Sequence, residues 1–247
     1  MTQPAPSKQF NELIDSMNEM IIHGVNNHLI QKIAVAADKM KQYGKYLDFY
    51  IISGMIAAIR GDALETDRLF NAAIICGGRA PNTLCNYASA LNNLGRHRSA
   101  IKVIDELVSI APGDLSVVKT ALKFHRDAFD INGVNDLKKR CEMLGDPIID
   151  LDVDNNLMLI DELLTSHKVN WEDLASRTEL AYSVLHKLGL HMRGRNETLQ
   201  DGIFLFDFRI DADVNAVFLG ESAINDAIAE KTYSPVDNFL YLTCSVI

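Results

Sequence analysis

The chain has 247 residues, of which 48% are hydrophobic and 23% charged, with a formal net charge of −9. That length can bury a substantial core, and the composition is that of a soluble globular protein, not a disordered or fibrous one. Residues 1–8 are polar, with Pro4 and Pro6, and lack both the apolar run of a secretory leader and the arginines of a transit peptide. The longest apolar stretches, such as residues 51–59, are short and interrupted by Ser and Gly, so no membrane span is expected. Cys76, Cys85, Cys141 and Cys244 show no CxxC spacing. Cysteines so scattered fit small buried side chains in a reducing cytoplasm.

Two helices are expected first. Leu13, Met17 and Met20 lie on one face of residues 10–23, and Leu29, Ile33, Ala36 and Met40 on one face of residues 28–43, with Gly24 between them. A repeat of 34 residues follows, in windows 47–80 and 81–114. Gly54 falls opposite Ala88, Gly61 opposite Gly95, Phe70 opposite Ile104 and Ala73 opposite Leu107. Gly54 and Ala88 sit midway along a first helix, where only a small side chain lets a second helix approach. Gly61 and Gly95 end that helix at a position suited to positive φ. Pro112 breaks the second helix and Asp114 caps the next. A third copy, 115–144, keeps Ala121 and Leu122 but has Phe129 at the turn-glycine position, and its second helix is expected over 134–144.

With Asn86, Ala88, Leu91, Gly95, Ala100, Ile101, Ile104 and Pro112 at their offsets, residues 47–144 resemble the tetratricopeptide-repeat family. The resemblance implies a mainly α fold: a superhelix of α-hairpins whose groove receives a partner segment. The groove residues it implies are Ile51, Met55 and Ala58 in the first copy and Asn82, Cys85, Ser89, Asn92 and Asn93 in the second. In the third they are Lys119, Lys123 and Arg126. One subfamily clamps a C-terminal carboxylate with Lys and Asn; this chain keeps Asn86 but has Ile51 and Met55 where the first such pair would stand.

The pattern changes after Gly145, so the expected domains are a helical-repeat domain over 1–145, with a divergent hairpin at 9–43, and a C-terminal α/β domain over 146–247. Asn170 caps a helix beginning at Trp171, with Leu174, Leu180, Val184 and Leu188 on one side. The polar stretch 191–202 reads as an exposed loop. Phe204, Phe206, Phe208 and Ile210 alternate along a strand, 203–211. A helix over 213–231 follows, with Val214, Val217, Ile224 and Ile228 facing inward, and 239–247 is a second strand. Strand, helix, strand fits a crossover between parallel strands. Two strands make a poor sheet, so the expectation is either an unseen strand or a homodimer built by sheet extension, motivated by the phenylalanine-rich strand.

The charge is uneven: residues 1–145 hold 17 basic against 15 acidic side chains, and residues 146–247 hold 7 against 18. An acidic C-terminal part argues against nucleic-acid binding and suits a basic partner. Asp150, Asp152, Asp154, Asn156 and Asp161 match positions 1, 3, 5, 7 and 12 of a calcium loop. Asn155 at the bend position, the short Asp161 and the preceding Pro147 count against that match. No P-loop, GxGxxG, GxSxG or HExxH is present, and no histidine pairs at a zinc spacing. The sequence therefore points to a non-enzymatic module that binds a protein or peptide, without a cofactor: an adaptor, assembly factor or chaperone-like protein. The alternative is an acidic inhibitor of a basic partner, in the manner of an immunity protein or antitoxin; an enzyme on the C-terminal segment ranks third.

Overall fold

The computed structural model describes residues 8–23, 26–147, 151–190 and 192–247. The fold is mainly α, with a small C-terminal α/β segment. It divides into two compact units, Met1–Leu94 and Gly95–Ile247.

The first unit holds α1 (Lys8–His23), α2 (Asn27–Gln42), α3 (Tyr46–Ile59), α4 (Ala63–Gly77) and α5 (Pro81–Asn93). Local chemistry sets their ends. The Asn26 side chain accepts the Leu29 N–H at 3.1 Å, Asp62 accepts that of Glu65 at 3.0 Å, and Pro81 opens α5, where its missing N–H costs nothing. After α3, Gly61 N–H donates to Ala58 and Asp62 N–H to Ala57, closing the helix with Gly61 at φ 76°. The core joins Phe10, Met17 and Met20 of α1, Ile30, Ile33 and Met40 of α2, and nearly all of α3. α3 is apolar on every side, and a helix of that kind is buried all round. Ile51, Met55 and Ala58 are accordingly at most 1% exposed. They are core residues, and the groove role implied by the resemblance does not hold for them.

The second unit holds α6 (His97–Ile110), α7 (Leu115–Asp127), α8 (Ile131–Met143), α9 (Leu151–His167), α10 (Trp171–Lys187) and α11 (Val214–Ala229). Three strands join them: β1 (Met192–Gln200), β2 (Ile203–Ile210) and β3 (Leu240–Val246). The helix starts Ala63, His97 and Ile131 keep the 34-residue period, so α8 begins before the expected residue 134. Phe129 takes the glycine's place at φ 62°, and its N–H donates to Arg126 as that of Gly61 does to Ala58.

Residues 192–200 form a strand, not a loop. β1 pairs antiparallel with β2 through a two-residue turn, Asp201 and Gly202, both at positive φ. The sheet order is β1-β2-β3 with β2 and β3 parallel, as the crossover reading expected. The phenylalanine-rich strand is therefore central, which removes the motive for sheet extension through it. Phe204, Phe206, Phe208 and Ile210 share a core with Leu174, Ala181 and Leu185 of α10, Val217 and Ile224 of α11, and Phe129 from the α7–α8 turn. This shared core explains why the chain divides after Leu94 and not after Gly145: the last hairpin packs with the α/β segment. Val214, expected inside, is 70% exposed. No helix among the described residues is long and apolar enough to cross a membrane.

Candidate functional site

α5 carries a stripe of small polar side chains at helical spacing: Asn82, Cys85, Asn86, Ser89, Asn92 and Asn93. All except the buried Asn86 are half-buried. Asn86 is the brace of the stripe, its amide donating to the Asn82 backbone carbonyl at 2.8 Å and to the Asn82 side-chain oxygen at 3.0 Å. The Ser89 and Asn93 side chains make no hydrogen bond among the described residues. They present one hydroxyl and one amide, able to donate and accept, on a helix held from behind by Thr83, Leu84, Ala88, Ala90 and Leu91. Burial pushes the Cys85 thiol above its ordinary value, so it stays protonated and unreactive at neutral pH.

The basic residues of α7 are less available. Lys119 pairs with Asp146 at 2.5 Å, Arg126 is half-buried, and Lys123 is exposed. In the first unit, α2, α3 and the start of α4 also line an open cleft of about 270 Å³. Its charges are partly spent: Arg68 chelates Glu65 through two 2.6 Å hydrogen bonds, and Asp62 caps α4. The calcium reading fails on geometry. Asp150 lies outside the described residues, and from Leu151 onward the backbone is helix α9, whereas the metal loop needs its ligands on a non-helical turn. Asn156 and Asp161 lie exposed on that helix. No group of three potential ligands exists among the described residues.

Two charged clusters escaped the sequence reading, both in the second unit. His125 lies between two carboxylates, with Nδ1 2.6 Å from Asp130 and Nε2 3.0 Å from Asp105. Burial weighs against its charge, but the two hydrogen bonds win and raise its pKa to about 9, so the ring is an imidazolium that donates to both. Asp130 also accepts the Gly133 N–H, so one side chain caps α8 and fixes His125. The second cluster centres on Arg195 of β1. Its guanidinium meets Glu197 at 2.7 Å and Asp127 at 3.2 Å, and lies over the rings of Phe129 and Phe206 at 5.5 and 5.4 Å. Burial raises the Glu197 pKa, with Arg195 opposing, while burial and then Arg195 hold His97 neutral down to about 3. In both clusters the charged groups are committed to one another, and both tie separate elements of the second unit together.

Compared with protein-family models, characterised proteins and solved structures, the chain matches none.

Proposed function

We propose that the chain is a protein-recognition module of tetratricopeptide-like hairpins that seats a partner segment on the polar face of α5. The carrying observation is that Ser89 and Asn93 stand half-exposed and uncommitted on a helix whose other faces are packed. A stripe of amides and a hydroxyl reads the backbone groups of an extended or helical segment better than it reads bare charge. The apolar anchor expected at Met55 is absent from this reading, since Met55 is buried. Amide pairing and shape would carry recognition.

The test is capture by tagged full-length protein from native lysate, beside Asn93→Ala and Ser89→Arg, with identification by mass spectrometry. A protein retained by the wild type and lost by both variants supports the module. Equal retention by all three removes α5 as the binding surface.

A further inference from the structure

The outer face of α11 is apolar where a surface helix is ordinarily polar. Val214, Phe218 and Leu219 are 70%, 71% and 63% exposed. Val214 and Phe218 stand one turn apart and Leu219 flanks them, so the three form one patch on the order of a few hundred Å², the size at which exposed apolar surface marks an interaction site. The helix cannot roll to hide them. Its opposite face is already packed through Val217, Gly220 and Ile224, and a Cβ on Gly220 would stand 2.8 Å from Leu190. A helix apolar on both faces lacks a cover on one of them.

The surrounding charge narrows the occupant. Between Asp211 and Lys231 the chain carries five carboxylates, Asp211, Asp213, Glu221, Asp226 and Glu230, against one cation, Lys231. Asp213 caps the helix by accepting the Ala216 N–H, and Glu221 accepts the Cys244 N–H. Asp226 and Glu230 follow Leu219 by two and three turns on the same face, exposed and without an ion pair among the described residues. We propose that this face docks a basic amphipathic helix from another protein, its apolar side on Val214, Phe218 and Leu219 and its Lys or Arg on Asp226 and Glu230. A second copy of this chain is disfavoured, because a twofold contact would bring like carboxylates together. The same charges repel an anionic membrane surface. The site is independent of α5.

The probe is a synthetic amphipathic helix of leucine and lysine, titrated into the full chain by calorimetry, with a leucine–glutamate helix of the same pattern as control. Only the basic helix is expected to bind. Phe218→Ser with Leu219→Ser, and separately Asp226→Lys with Glu230→Lys, should each weaken it by about tenfold or more; Ser89→Arg on α5 should leave it unchanged. The exposed positions permit these changes without loss of fold, which circular dichroism checks. No binding overturns the proposal. So does binding that both α11 double variants retain, since that is general attraction to an acidic protein. A wild-type dimer that Phe218→Ser with Leu219→Ser converts to monomer would assign the face to a second copy, and likewise overturns it.

Discussion

The ring of Phe70 fills the space that a side chain on Gly54 would need. A Cβ built on Gly54 would stand 2.7 Å from the ring carbon Cε2. The ring has nowhere to go: Phe70 is fully buried and stacks on Tyr87 at 4.8 Å, and the Tyr87 hydroxyl donates to Asp67 at 2.8 Å. Helix propensity alone would make Gly54→Ala stabilising by about 1 kcal/mol. Overpacking of a tight interface costs about 1–3 kcal/mol. The expected outcome is a net loss, seen as a lower urea midpoint at unchanged slope. A gain would show that α3 and α4 tolerate a wider spacing.

Phe129 holds the left-handed conformation that glycine holds at Gly61 and Gly95. A bulky residue there costs on the order of 1–3 kcal/mol. The cost persists because the side chain is fully buried, edge-on to Phe204 at 5.5 Å and beneath the Arg195 guanidinium. Phe129→Gly relieves the backbone and empties the core. Losing a buried phenylalanine costs about 3–5 kcal/mol, so the variant should be less stable than the wild type, by an amount smaller than for Phe129→Ala. Thermal unfolding of the two side by side decides it. A glycine variant as stable as the wild type would mean that Phe129 contributes strain alone.

The same residue marks the limit of what the sequence shows. Helix caps, helix faces and the 34-residue period were legible because each follows from local chemistry: Asp114 and Asn170 both cap the helices they precede. Phe129 looked like a failed repeat because its reason lies in a core built from residues far along the chain. β1 was missed because its inward positions hold Arg195 and Glu197, so the strand shows no apolar alternation. The Asp201-Gly202 pair before a strand was the available signal. Burial of Ile51, Met55 and Ala58 was written in the apolar run of α3, interrupted only by the small Ser53 and Gly54, which the family pattern of groove positions overrode.

His125 gives stability a pH dependence with a definite sign. Its folded pKa, about 9, lies above the ordinary histidine value of 6.5. The folded state therefore holds its proton more tightly, and the stabilisation is fully present below pH 6.5 and lost as pH rises through about 9. At the acid end Asp130 acts in reverse. Burial raises its pKa, but the His125 and Gly133 hydrogen bonds lower it below the ordinary 3.8, so its contribution is present above that value and lost on further acidification. Between pH 6 and 9.5, denaturation midpoints should fall for the wild type and fall much less for His125→Gln. Parallel curves would show that the ring is not charged in the folded state.

Arg195 holds together several groups of the second unit, so its removal should be costly. Its guanidinium is shared by Glu197, Asp127 and two aromatic faces, and it also donates to the Asp127 backbone carbonyl at 3.1 Å. Arg195→Met keeps much of the volume but leaves Glu197 half-buried without its cation. Breaking one side of a buried pair costs about 3–5 kcal/mol, because the remaining charge keeps its desolvation penalty without compensation. Arg195→Met with Glu197→Leu removes both charges from neighbouring inward positions of β1 and should recover most of that loss. Arg195→Lys should fall between them, since an ammonium cannot bridge two carboxylates and lie flat over Phe129 and Phe206. A double variant no more stable than Arg195→Met would locate the cost in lost packing over the aromatic rings, whereas recovery assigns it to the stranded carboxylate.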